Sequence, residues 1–184
     1  MRIVGGQHRG RSLVAPKSQA IRPTADRLRE SLFNILMHAY GDPVSGARVL
    51  DLFAGTGGLG LEALSRGAAF VLFVDDGAEA RALIRQNVET IGAAGITRIF
   101  RRDATRLGAV HPNEPFSLVF LDPPYGKGLA EKALISARDG GWLAKGALIV
   151  VEEAKNAGFT PPEGFEEIER RDYDDTEFAF LRTI

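Results

Sequence analysis

The chain has 184 residues, with 23 Lys and Arg against 24 Asp and Glu, a net charge of -1 and no cysteine. That length buries one sizeable core and leaves no room for a separate large recognition domain, while the missing cysteines exclude disulfides, Cys-ligated zinc and thiol catalysis. No apolar run is long enough to span a bilayer and Met1-Arg2-Ile3-Val4-Gly5 does not open a signal peptide, so a cytoplasmic location is expected.

Residues Arg2 to about Ile21 read as strand or loop, broken by Gly5, Gly6, Gly10 and Pro16. Thr24 then opens an amphipathic helix carrying Leu28, Leu32, Phe33, Leu36 and Met37, of which Leu32, Phe33 and Leu36 are core or docking residues. Gly41-Asp42-Pro43 separates an N-terminal extension, residues 1–41, from the remainder, residues 42–184. Charge is unevenly shared. Up to Tyr40 there are seven cations (Arg2, Arg9, Arg11, Lys17, Arg22, Arg27, Arg29) against Asp26 and Glu30, whereas acids outnumber bases from Val150 onward. A basic arm that meets phosphates, through Arg9, Arg11, Arg22 and Arg27, with an acidic side facing away, accounts for the asymmetry. On the helix, an ion pair of Arg27 with Asp26 or Glu30 competes with that use.

The apolar stretch Ala47–Phe53 is a strand, and Ala54-Gly55-Thr56-Gly57-Gly58-Leu59-Gly60 leads from it into the helical pattern Leu61–Ser65. Gly55, Gly57 and Gly60 satisfy G-x-G-x-x-G, a weak signal alone that would suit a dinucleotide. Asp51 argues for another ligand, because a carboxylate at the loop repels a pyrophosphate but accepts from the ammonium group of S-adenosylmethionine. Phe53, Ala54, Gly55 and Gly57 are the expected cofactor contacts of this turn. A second strand, Ala69–Val74, ends in Asp75-Asp76, where an acid takes ribose hydroxyls; Asp75 is the better placed. A third, Thr97–Arg102, ends in Asp103-Ala104, an expected contact of the adenine amine. Helical patterns run from Ala78 to Ile91 and from Leu129 to Ala137.

Phe116–Leu121 is a buried strand that stops at Asp122-Pro123-Pro124-Tyr125. Two prolines fix φ and remove donors, so the Asp122 carboxylate, the Pro123 carbonyl and the Tyr125 ring form a rigid array at a strand's C-terminal edge. Two acceptors suit an exocyclic NH₂ and a ring suits the face of a planar base, which points to amino-group methylation of a nucleobase. Asp and Pro are also ordinary turn residues, and any one strand-end Asp could cap a helix. Four of them (Asp51, Asp75, Asp103, Asp122) after four successive strands exceed that account. Ala147–Val151 is a further buried strand, and Phe165–Tyr173 with Thr176–Arg182 forms a terminal antiparallel hairpin. Trp142 is read as packing, and His8, His38 and His111 show no ligand spacing, so no metal is expected.

With Arg2-Ile3-Val4-Gly5-Gly6, Gly10-Arg11 and Arg22-Pro23-Thr24-Ala25-Asp26-Arg27 through Leu36 in front, the glycine loop and Asp122-Pro123-Pro124-Tyr125 follow in an order that resembles the RsmD family of bacterial ribosomal RNA methyltransferases over nearly the whole chain. The resemblance implies a class I, S-adenosylmethionine-dependent, Rossmann-like α/β fold: a seven-stranded, mostly parallel sheet with the C-terminal antiparallel hairpin and a short N-terminal extension. It implies methylation of N2 of one guanine in 16S rRNA, with a monomer acting on naked rRNA or on an assembling small subunit. Asp75-Asp76-Gly77 departs from the family pattern, in which the ribose acid is often Glu and a second acid follows two positions later. Methylation of adenine N6 or cytosine N4 is the alternative activity; an NAD-dependent oxidoreductase and a non-catalytic RNA-binding module are the readings from other classes.

Overall fold

The computed structural model describes residues 1–18, 21 and 24–184. Seven strands, β1 (Arg48–Leu52), β2 (Phe70–Val74), β3 (Thr97–Phe100), β4 (Phe116–Leu121), β5 (Leu143–Ala154), β6 (Phe165–Tyr173) and β7 (Thr176–Thr183), form one sheet in the order β3-β2-β1-β4-β5-β7-β6. The first five are parallel, and β7 runs antiparallel between β5 and β6. Four helices accompany them: α1 (Asp26–Ala39), α2 (Gly58–Ser65), α3 (Ala78–Thr90) and α4 (Leu129–Asp139). None is long and apolar enough to cross a membrane.

Strand side chains alternate between faces, and here both faces are apolar, as buried parallel strands require. Val49, Val71, Phe73, Leu118 and Phe120 join the core beneath α1, α2 and α3. Their neighbours Leu50, Leu72, Val74, Val119 and Leu121 join the core beneath α4. Trp142 sits fully buried in the second layer, stacked on Phe116, with its Nε1–H donated to the Gly108 carbonyl at 2.8 Å. Tracing the chain outward from the centre, order reverses between β1, which leads to β2, and β4, which leads to β5, so the connections leaving these two paired strands lead in opposite directions.

Several boundaries differ from the sequence expectation. α2 starts at Gly58 rather than Leu61, because Gly58 and Gly60 take up helical backbone; a Cβ on Gly60 would lie 2.3 Å from Phe73 Cε1, so glycine lets the helix approach the sheet. β3 ends at Phe100, where the chain already turns: Arg102 lies over the Phe100 and Trp142 rings and donates to the Leu107 carbonyl at 2.6 Å. β5 begins four residues before Ala147 and continues to Ala154, which carries Glu152 and Glu153 into the sheet. Met37 is 43 % exposed although it matches the helix pattern.

The N-terminal residues form a short ribbon, with Ile3 N–H donating to Arg11 O at 3.0 Å and Gly10 N–H to Ile3 O at 2.8 Å. One buried acid ties it down. Glu62 of α2 accepts from the backbone of Val4 at 3.0 Å and of Gly5 at 2.9 Å, from Arg29 Nε at 3.1 Å and from Arg66 Nε at 2.9 Å. Arg29, fully buried, also donates to Asp26 at 2.9 Å, to the Thr24 carbonyl at 3.1 Å and to the Arg2 carbonyl. The Asp26 partner is therefore Arg29, one turn along the helix, and not Arg27. Arg27 points away, with only an exposed contact to Asp174 at 3.8 Å.

Removing one partner of a buried pair strands the other charge, so Glu62→Gln should destabilise the protein by about 3–5 kcal/mol, while Arg27→Ala should change stability by about 0.5 kcal/mol or less. Urea denaturation of the two variants checks the contrast.

Candidate functional site

A cavity of about 670 Å³ opens at the C-terminal ends of β1 and β4, where their connections separate. Ligands of open α/β sheets bind at this reversal because the loops leaving the two strands turn to opposite faces and leave a crevice. The first wall is the turn after β1: Asp51, Phe53, Ala54 and Gly55 line the cavity. Phe53 adopts φ 56° and Gly55 φ 60°, a left-handed path that folds the loop back over the strand end. Gly57, at φ 80°, is the residue before α2 and does not line the cavity; a Cβ there would crowd Ile84, Leu61 and Phe73. Its service to the site is to turn the chain.

Asp51 lies inside β1, 1 % exposed, with Oδ2 accepting from Gly60 N–H at 3.0 Å. Burial raises its carboxyl well above the usual range; the Asp75 charge adds to this and the Gly60 bond opposes it. Asp75, just past β2, accepts from Gly55 N–H at 2.9 Å and Gly77 N–H at 2.8 Å, and still borders the cavity beside the exposed Asp76. It thus fixes the glycine loop as well as facing any ligand.

The cavity lining stops short of Asp103 and Ala104. Asp103 caps the 3-10 turn Ala104–Arg106, its Oδ1 accepting from Thr105 N–H at 2.9 Å and from the Thr105 hydroxyl at 2.7 Å, which holds this exposed carboxyl below the usual range. Capping engages Oδ1 alone. The Ala104 side chain is buried in the core.

The second wall is the turn after β4, where Asp122, Pro123, Pro124 and Tyr125 all line the cavity. Burial, and then the neighbouring Glu152, raise the Asp122 carboxyl well above the ordinary range, with Thr24 the opposing donor at 3.3 Å. The Tyr125 hydroxyl donates to Glu152 Oε1 at 3.1 Å and lies 3.3 Å from the Thr176 hydroxyl. Sequence reasoning missed Glu152, Thr24 and Thr176. Glu152 obeys the same rule that singles out the four aspartates, an acid at the end of a buried strand, but in the sequence it merges with the acidic stretch from Val150 onward. Thr24 was read only as a helix start; α1 begins two residues later at Asp26, and the Thr24 hydroxyl crosses to Asp122 instead.

The donor set suits S-adenosylmethionine: carboxylates on both walls for cationic groups and hydroxyls, an apolar ring at Phe53, and backbone close to the ligand at the glycine loop. Of the expected RNA contacts, Arg9 and Arg27 are exposed, Arg11 is exposed but donates to the Thr90 carbonyl at 2.6 Å, and Arg22 lies outside the described residues.

Acids whose carboxyls are raised by the fold lose stability as pH climbs from the ordinary carboxylate range toward the raised value. Asp51→Asn should therefore raise stability at pH 7.5 by about 1 kcal/mol or more, and the gain should vanish below about pH 3, where the parent carboxyl is protonated in both states. Thermal melting at the two pH values reads the difference.

Comparison with known proteins agrees with this geometry. The model of the family Conserved hypothetical protein 95 matches residues 1–182. The ribosomal RNA small subunit methyltransferase D of Escherichia coli K12 is 45 % identical over 164 residues, covering 88 % of this chain and 79 % of that protein. Its namesake from Haemophilus influenzae is 36 % identical over 167 residues, covering 90 % and 84 %. The solved structure of yhhF from Escherichia coli superposes with a TM-score of 0.84 at 34 % identity, covering 100 % of this chain and 97 % of that one. The seven-stranded sheet with its terminal antiparallel hairpin, the cavity at the strand reversal and the match over residues 1–182 together make this chain a member of the Conserved hypothetical protein 95, or RsmD, family of methyltransferases.

Proposed function

We propose that this protein transfers a methyl group from S-adenosyl-L-methionine to the exocyclic N2 of a guanine in 16S rRNA. The observation that carries the reading is the Asp122-Pro123-Pro124-Tyr125 turn, which faces the same cavity as the glycine loop across the reversal of strand order. The names of the relatives support ribosomal RNA of the small subunit as the substrate class.

When bound, the cofactor supplies a methyl group on a sulfonium, a leaving group that needs no protonation. The protein binds and orients. Asp75 takes the ribose hydroxyls, Asp51 and the backbone of Phe53, Ala54 and Gly55 hold the amino-acid end, and Oδ2 of Asp103 beside Ala104 meets the adenine edge. The guanine N2 lone pair is delocalised into the ring and becomes nucleophilic only as nitrogen turns pyramidal. Asp122 and the Pro123 carbonyl accept its two N–H bonds in that geometry and stabilise the positive charge that builds there. Tyr125 stacks on the base, which must leave its own stack to reach the cavity. Alignment of nitrogen, methyl and sulfur supplies much of the remaining acceleration.

Residues 1–41 serve as the basic extension and residues 42–184 as the methyl-transfer domain. Since Arg29 is buried and Arg11 partly engaged, Arg9, Arg22 and Arg27 are the cations this reading assigns chiefly to phosphate. The protein acts as a monomer in the cytoplasm, on rRNA within an assembling small subunit.

The deciding experiment is mass mapping of 16S rRNA incubated with the protein and labelled cofactor: methyl on guanine N2 is expected, and methyl on adenine N6 or cytosine N4 would replace the reading with the alternative. Asp122→Ala should lower kcat on the order of 100-fold with S-adenosylhomocysteine affinity nearly unchanged. Near-normal turnover would return the motif to a turn. In a separate titration, Arg9→Ala, Arg22→Ala and Arg27→Ala combined should weaken RNA binding and reduce the salt slope by about 2, since each lost contact to a single-stranded phosphate removes about 0.7.

A further inference from the structure

The methyl-transfer scheme uses Asp122 and Tyr125 and leaves Glu152 without a role, yet Glu152 touches both. It is buried near the end of β5, the strand beside β4, so the sheet itself brings it against the Asp122 turn. Its Oε1 receives the Tyr125 hydroxyl at 3.1 Å, and its carboxyl lies close enough to that of Asp122 to oppose its ionisation. Thr24 Oγ1 lies 3.3 Å from Asp122 Oδ2 and 3.5 Å from Glu152 Oε2, and so spans the pair. The next residue, Glu153, accepts from Gly126 N–H at 3.0 Å and anchors the loop that follows Tyr125. Two acids face to face in a buried wall cost free energy unless they share a proton, so their juxtaposition calls for a functional reason.

We propose that Glu152 is a positioning residue for methyl transfer, acting through Asp122 and Tyr125: it locks the carboxyl that receives the amine and the ring that stacks on the base into one rigid unit. The proposal rests on the reading that Asp122 and Tyr125 meet the target base. Glu152 is a partner that the two side chains share. The Tyr125 ring can turn about its side-chain bonds and the Asp122 carboxyl about χ2, whereas a shared partner on a central strand holds both at once. Thr24, just ahead of α1, closes the arrangement from the N-terminal side.

The same contact gives the unit a pH signature. Among the described residues, the groups acting on Asp122 are Glu152 and Asp51, which oppose its ionisation, and Thr24, which favours it. Burial and then the Glu152 charge push the Tyr125 hydroxyl up to about 12, so it stays a donor across the working range. Asp122 and Glu152 therefore titrate as a pair in two steps, the second well above the usual carboxylate range. An acceptor must be ionised to hold the amine best, so the acidic limb of kcat/KM follows that second step. Replacing Glu152 by an uncharged partner removes the like charge and lets Asp122 ionise at lower pH.

Three variants test this. Glu152→Ala should lower kcat at least tenfold and raise KM for RNA, with S-adenosylhomocysteine Kd within threefold of the parent. Glu152→Gln, which keeps hydrogen-bonding atoms, should lose less activity and shift the acidic limb of kcat/KM down by a pH unit or more. Glu152→Asp should keep the limb high but recover little kcat, because the shorter chain cannot reach both partners. Parental kcat in Glu152→Ala, or an unmoved limb in Glu152→Gln, overturns the proposal; if Glu152→Ala fails to fold, Glu152→Gln alone decides. Carboxyl ¹³C titration of the parent and of Glu152→Gln needs no turnover. Paired titration there, with Asp122 returning toward the ordinary range in Glu152→Gln, supports the pair even if the parent methylates a different base, and independent titration in the parent sinks the pair even if rRNA is methylated.

Discussion

A single buried carboxylate, Glu62, is the fixed point of this structure. With no exposure to water it must be satisfied from within, and its partners come from three places: the ribbon backbone at Val4 and Gly5, Arg29 of α1, and Arg66 just beyond α2. Each partner is a donor, and together they compensate the loss of hydration that an isolated ion would suffer. The consequence is geometric. Because Arg29 is held by Glu62 and Asp26 together, the start of α1 cannot drift, and Thr24 just before it stays within reach of Asp122. The N-terminal extension is thus a wall of the cavity as much as a covering of the sheet, with Ile21, Thr24, Ala25 and Leu28 all lining it.

At the cavity the logic is opposite. Asp51 and Asp122 are placed where burial and like charges disfavour their ionised forms, and the stabilising donors are few: one backbone N–H for Asp51 and one hydroxyl for Asp122. A structure optimised for stability would exchange such groups for apolar ones. Their retention is understandable if a cationic ligand completes the electrostatics, in the way Arg29 and Arg66 complete those of Glu62. The contrast between an acid met by two guanidinium groups under the N-terminus and acids set beside like charges at the strand reversal distinguishes the two places more sharply than burial does.

Most of the sheet is legible in the sequence because buried parallel strands are nearly continuous apolar runs, as in Val71–Val74 and Leu118–Leu121. The terminal hairpin is legible from its alternation. The beginning of α2 is not, since glycines at Gly58 and Gly60 read as loop until the proximity of Phe73 explains them. The early start of β5 is hidden for a similar reason: Lys145 and Gly146 break the apolar pattern, while the pairing of Leu143 with Phe116 holds the backbone in the sheet. In the site, residues next to a turn motif are visible, but Thr24 and Thr176 reach Asp122 and Tyr125 from 98 and 51 residues away, and no local pattern encodes such a meeting. Charge counting misled once, by treating Arg29 as one surface cation among seven when it is wholly buried.

The contacts that seat the ribbon run between distant parts of the chain: His8 to Ser65, Val4 and Gly5 to Glu62, Val14 to Asn87 and Arg11 to Thr90. During synthesis this segment precedes α2 and α3 and has nothing to dock on until they have followed it out. Such long-range closures form late, after the loops they span have paid their entropy. The nascent protein therefore passes through a stage in which this cationic, glycine-rich segment is still undocked. Timing, and not only final architecture, governs when the ribbon finds its seat on α2 and α3.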